Sequence, residues 1–139
     1  MVDQVRVARL LRAITDVLSI LTAEDSAPAD RRSDPMWLPG VKYMFITAIE
    51  GCVDVAQHMC SSEGWGPPAD NGDAMRLLGA HGILSTESAN AMRQAVGFRN
   101  VLVHEYVAVS DDRVVARLSD LSDLHVFVRQ VALFLDVAE

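Results

Sequence analysis

Apolar residues in this chain recur every three or four positions, and they do so almost from one end to the other. Val5, Val7, Ala8, Leu10, Leu11, Ile14, Val17, Leu18 and Leu21 trace one face of a helix running to about residue 23. The period returns from about Val41 to Ser62, where Gly64-Trp65-Gly66-Pro67-Pro68 stops it. It returns again after Ser85-Thr86-Glu87, a serine cap followed by an acid in the first turn, with Ala89, Met92 and Val96 on the apolar face. This helix is expected to fade near Val107. A short helix is expected over 72–80, capped by Asp70 or Asn71 and stopped at Gly82. Asp111-Asp112 are expected to cap a final segment from Val114 to Val137, bent near Ser119-Asp120. Glu24 to Pro39 carries Pro28, Pro35 and Pro39 among Asp, Arg and Ser, which is the composition of a loop. Val107-Ala108-Val109 is too short and solitary to found a sheet. The expected fold is all-α, a bundle of four or five helices forming one domain over residues 1–139.

Composition narrows the function classes. Half of the 139 residues are hydrophobic and 22% are charged, which excludes a disordered chain. That apolar share is high for so small a domain and points to surface reserved for a partner. No apolar run approaches the roughly 18 to 20 residues that cross a bilayer. Met1-Val2-Asp3-Gln4-Val5-Arg6 also lacks the basic-then-apolar order of a signal peptide. A soluble, cytoplasmic protein without membrane association is expected. The net charge of -7 excludes a general nucleic-acid coat protein. RNA would be handled at a local basic site, and the acidic bulk suits a protein partner better. Cys52 and Cys60 read as small core residues in a reducing compartment; a disulfide or metal pair is the alternative, without C-x-x-C spacing or clustered His behind it. No cofactor and no metal are expected.

The chemistry concentrates in Arg99-Asn100-Val101-Leu102-Val103-His104-Glu105-Tyr106. Arg binds phosphate oxygens bidentately through an always-cationic fork. His both takes and gives a proton near neutral pH. Together they are the minimum kit for metal-free cleavage of a phosphodiester, with Val101, Leu102 and Val103 as the apolar run that anchors the backbone. The plain alternatives are a surface or bridging Arg99, a satisfied half-buried His104, a core Tyr106 with its hydroxyl at the rim, and a solvated Glu105. A straight helix turns roughly 100° per residue, which puts His104 about 140° from Arg99 while Tyr106 shares the face of Arg99. Either the helix breaks near Val103, or a second copy completes the site across an isologous interface. His58 reads as a helix-surface or core histidine, His81 as a C-terminal cap and His125 as a surface residue. Trp37 and Trp65 read as packing anchors beside loops, and Met44, Met59, Met75 and Met92 as core.

Three stretches carry a family resemblance: Gly51-Cys52-Val53-Asp54-Val55-Ala56-Gln57-His58, Leu77-Leu78-Gly79-Ala80-His81-Gly82-Ile83-Leu84, and Phe98 through Tyr106. With the leading helix and the Asp- and Leu-rich closing helix, the chain resembles HepT-like toxins of the HEPN superfamily over nearly its whole length. The pattern Arg, four residues, His, one residue, Tyr is matched by Arg99, His104 and Tyr106. The resemblance implies a ribonuclease toxin of a type II or type VII toxin–antitoxin system, dimeric, with the motifs facing each other in a cleft. It implies Arg99 and His104 as catalytic residues, with Asn100 in support. It further implies a nucleotidyltransferase antitoxin of the MNT type as partner, transferring AMP to Tyr106. RNA, tRNA or mRNA, would be the substrate. The segment from Ser26 to Pro39 is longer than many relatives need, room for a local contact. A non-catalytic helical module that binds nucleotide or protein, paired with a nucleotidyltransferase, is the rival reading.

Overall fold

The architecture is taken from a computed structural model that describes residues 1–104 and 110–138, with 137 and 138 as backbone only. Among the described residues there are seven helices and no strand: α1 (Gln4–Glu24), α2 (Ala29–Arg32), α3 (Trp37–Glu63), α4 (Asn71–Ala80), α5 (Thr86–His104), α6 (Asp111–Arg117) and α7 (Ser122–Ala138). Five of them reach ten residues or more and form the expected bundle; α2 and α6 are short additions.

The bundle is organised around α3, which touches each of the other six helices. The most extensive packing is α1 on α3, followed by α4 on α5. α1 starts at Asp3, whose carboxylate accepts the Arg6 N–H, and buries Val7, Leu11, Ile14, Leu18 and Leu21 at alternating steps of four and three. Opposite Ile14 stands Gly51, where an added Cβ would lie 2.7 Å from Ile14 Cγ1. The two axes can approach only because that side chain is missing. α3 ends at Gly64, in the left-handed region at φ +69°, with the Trp65 N–H returning to the Cys60 carbonyl. The Trp65 ring then stacks on His81, centroids 4.0 Å apart, which fastens the far ends of α3 and α4.

Four expectations are corrected. The stretch from Glu24 to Pro39 is not all loop. It holds α2, and α3 already begins at Trp37, with Pro39 inside its first turn. A proline fits there because the first helical N–H groups have no partner within the helix anyway. This segment carries a local contact: Arg31 pairs with Glu24 at 2.6 Å, Trp37 Nε1 donates to Glu24 at 2.9 Å, and Arg32 lies over the Trp37 ring. These partners, the Arg31 side chain first, hold the Glu24 carboxyl down at about 2. The closing segment is likewise two helices rather than one bent one. Arg117 folds back to the Asp120 carbonyl and the Asp123 carboxylate, and Asp120 takes the Ser122 hydroxyl at 2.7 Å, so the chain is recaptured at a new start. Asp111 and Asp112 lie in the first turn of α6 rather than capping it. Finally, of Val101, Leu102 and Val103 only Leu102 is buried. Successive helical residues point about 100° apart, so one of the three reaches the core and two face outward.

Cys52 and Cys60 are buried and unpaired, and burial pushes both thiols up, as expected of core residues. Met59, Met75 and Met92 are fully buried, and Met44 is partly buried against the core. None of the described helices is long and apolar enough to cross a membrane.

Candidate active site

Arg99 sits on the inward face of α5, one turn before buried Leu102. Its neighbour Phe98 meets Phe45 of α3 edge-on, centroids 5.5 Å apart, and Arg117 lies over the same Phe98 ring. α5 is thereby clamped to α3 at the residue preceding the arginine. The Arg99 guanidinium reaches Glu50 of α3 through Nη2 at 2.7 Å and Nε at 3.2 Å, and donates from Nη1 to Asn100 Oδ1 at 3.0 Å. Arg99 is 21% exposed and Glu50 46%, so the pair opens to solvent on the carboxylate side. All three nitrogens are engaged in a fixed orientation, with Asn100 drawing one of them round the helix.

Glu50 is the residue that sequence reasoning missed. It stands in an apolar run, Phe45-Ile46-Thr47-Ala48-Ile49-Glu50-Gly51-Cys52. A lone carboxylate there asks for a cation, and that was the available signal.

His104 is the last residue of α5 and is exposed. It is thus not the half-buried histidine of the plain reading. α5 runs unbroken from Thr86 to His104, so the expectation of a break near Val103 fails within the described residues. Arg99 and His104 keep their angular separation of about 140° on one helix. Tyr106 and Glu105 lie outside the described residues, as does Val107-Ala108-Val109.

On the side of α5 that carries His104 there is an open groove of about 620 Å³. Arg93, Gly97 and Asn100 line it on α5, and Asp70, Asn71 and Gly72 line it at the start of α4. Asp70 is the cap of α4, accepting the Asp73 N–H, and Gln57 donates to Asn71 at 3.2 Å. Gln57 of the first resemblance segment therefore pins α4, and His58 beside it accepts the Asp3 N–H at the start of α1. Both are structural. Among the described residues no three His, Cys, Asp or Glu side chains cluster as a metal-holding group.

A helical bundle of this kind, with an arginine and a histidine on one helix, matches solved toxin structures closely in shape. The chain superposes with a TM-score of 0.85 on a tri-AMPylated Shewanella oneidensis HEPN toxin in complex with its MNT antitoxin, at 20% identity, covering 96% of this chain and 99% of that one. It superposes at 0.83 on a Bacillus subtilis cytosolic protein of unknown function, YutE, at 16% identity, covering 99% and 93%. The ribonuclease HepT-like family model matches residues 10–131, and the chain belongs to that family. Sequence relatives include an mRNA nuclease HepT of Shewanella oneidensis, 30% identical over 48% of this chain and 50% of that protein. A putative RNase of Archaeoglobus fulgidus is 28% identical over 68% and 71%. A tRNA nuclease HepT of Aphanizomenon flos-aquae is 31% identical over 65% and 62%. The matched stretch thus spans half of the Shewanella nuclease.

Proposed function

We propose that this protein is the ribonuclease toxin of a type II or type VII toxin–antitoxin pair, cutting RNA endonucleolytically in the cytoplasm without a metal. The observation that carries the reading is the unbroken α5, which holds Arg99 in a fixed orientation against Glu50 and Asn100 and presents His104 exposed at its end. The family match adds the chemistry.

In this mechanism the His104 imidazole takes the proton of a ribose 2′-hydroxyl. The 2′-oxygen attacks the adjacent phosphorus, and the bond to the 5′-oxygen breaks. That oxygen leaves with a proton from a second imidazole, giving a 2′,3′-cyclic phosphate and a 5′-hydroxyl end. Proton transfer of this kind contributes about 10²- to 10⁴-fold. Arg99 stabilises the added negative charge on the phosphoryl oxygens. Because the two residues point to different sides of one regular helix, the site is completed by a homodimer in which each copy supplies a His104. The exposed Val101 and Val103 beside the motif are apolar surface of the kind such an interface covers. Tyr106 is the AMP acceptor for an MNT-type antitoxin; the added anion excludes RNA by charge and bulk. One relative is named for mRNA and another for tRNA, so both are substrates to try.

The test is incubation of purified protein with tRNA and mRNA in EDTA, beside His104→Ala and Arg99→Ala. Cleavage lost in both variants supports the enzyme, whereas intact RNA despite binding supports a non-catalytic module. Sedimentation should give about twice the 15.2 kDa chain mass; a fully active monomer rejects the shared site. With the antitoxin and ATP, AMP should be found on Tyr106 and not on Tyr43.

A further inference from the structure

We propose that the open groove between α5 and the start of α4 is the track along which RNA reaches His104, with Arg93 as a phosphate contact and Gly97 as its floor. This rests on the ribonuclease reading above. Arg93, Gly97, Asn100 and His104 follow one another at steps of four, three and four residues, so they share one side of α5. From Arg93 to His104 the helix turns to within about 20° of a whole number of turns and rises ~16 Å, room for several nucleotides. The groove of about 620 Å³ lies along that side.

Gly97 is the second observation. It stands inside a 19-residue helix, where glycine is less favourable than alanine. An added Cβ there would meet no atom within 4 Å, and its φ is not positive. Neither the packing nor the backbone of this chain asks for glycine at 97. What the missing side chain permits is close approach by something from outside. Gly51 makes the contrast, because its absent Cβ is explained by Ile14.

The surroundings suit a sugar–phosphate backbone. Arg93 is exposed, and among the described residues no carboxylate forms an ion pair with it, although Asp73 feels its charge at longer range. Asn90 and Asn100 add carboxamides that both donate and accept. The one carboxylate in the lining, Asp70, is held at the start of α4 by the Asp73 N–H on Oδ1, the far wall of the groove from Arg93 on α5. A second groove of about 360 Å³ adjoins it across Gln94, on the side of α5 that carries Ala95 and Phe98, and there Arg117 is tied to Asp123. With Arg93 set against Asp70 the lining carries no net negative charge, so this groove is less repulsive to phosphate than a chain of net charge -7 is as a whole.

The experiment uses the His104→Ala protein, so that a bound single-stranded oligoribonucleotide of mixed sequence stays intact. Adding Arg93→Gln should weaken binding about tenfold and reduce the log–log salt slope by about 0.7, one phosphate contact on a single strand. Adding Gly97→Leu should weaken binding comparably while the thermal midpoint holds or rises. Arg113→Gln, in the second groove, should change neither. If Arg93→Gln and Gly97→Leu bind RNA like their background while the unsubstituted protein still cuts RNA, the groove assignment is overturned and the ribonuclease reading stands. If the unsubstituted protein neither binds nor cuts RNA, both fall. Normal RNA binding with lost self-association or lost antitoxin binding makes the groove a protein contact and also overturns the proposal. Should Gly97→Leu fail to fold, Arg93→Gln and Gly97→Ala decide the outcome.

Discussion

Glu50 offers the sharpest test of how the site is built. Its carboxylate receives two of the three Arg99 donors and stands across the α3–α5 interface from the motif. In Glu50→Ala the guanidinium loses that anchor and keeps only Asn100. The stability cost is modest, because the carboxylate is nearly half exposed. A half-exposed pair of this sort contributes about 1 kcal/mol, or roughly 3–5 °C in the midpoint of a chain this size. Activity should fall further than stability. A displaced charge-stabilising group, off by an ångström or so, costs on the order of 10²-fold in kcat. Glu50→Gln keeps an oxygen acceptor for Arg99 and should retain most of the activity. The assay is single-turnover cleavage of RNA across pH, beside a thermal melt. The pH profile should keep its shape in both variants, because His104 is untouched. Full activity in Glu50→Ala would refute the positioning argument. So would Glu50→Gln being as inactive as Arg99→Ala, since the carboxylate would then be handling protons itself.

Two further predictions concern the scaffold. Gly51→Ala places a Cβ 2.7 Å from Ile14 Cγ1 and should cost about 1–3 kcal/mol in denaturant unfolding, with Ile14→Ala recovering part of it; an unchanged midpoint would mean that α1 and α3 are not in close contact there. The Glu24 carboxyl is held at about 2, below the ordinary 4.5, so its contribution is complete above pH 4.5 and is lost as pH falls toward 2. Discounted for the exposure of Arg31, that contribution is on the order of 1 kcal/mol, and Glu24→Gln should flatten this limb of the stability–pH curve.

What was legible in the sequence followed periodicity. The periodicity carried Val7, Leu11, Ile14, Leu18 and Leu21 to the buried face of α1 but also took in exposed Val5 and Ala8. The caps at Ser85 and at Asp70, read as Asp70 or Asn71, were legible because their chemistry is local. The short helix α2 was not. Its turn is held by Arg31, Arg32 and Trp37 reaching Glu24, Asp25 and Ala27, contacts that form only once the segment is folded back. The split between α6 and α7 depends in the same way on Arg117 and Asp120 meeting partners in the turn between them. Within the site, Arg99 and His104 stood out by residue type and spacing, and Asn100 entered only through the family resemblance. Glu50 lies 49 positions away, and no periodic pattern joins it to Arg99. The outward direction of Val101 and Val103 was available from helix geometry and was obscured by reading three apolar neighbours as a single anchor.

Leu102 is the last side chain of α5 buried in the bundle, and the two halves of the motif fall on either side of it. That division sets different evolutionary constraints. On the proposed mechanism, a change at exposed His104 removes the proton-transfer group and leaves the Arg99–Glu50 pair in place. A change at Arg99 strands Glu50 and disturbs the α3–α5 seam as well. Lineages under pressure to disarm such a protein while keeping a folded chain for its partner therefore have a cheaper route through position 104. Degenerate copies should lose the histidine first and keep the arginine longer, as a relic of packing rather than of catalysis.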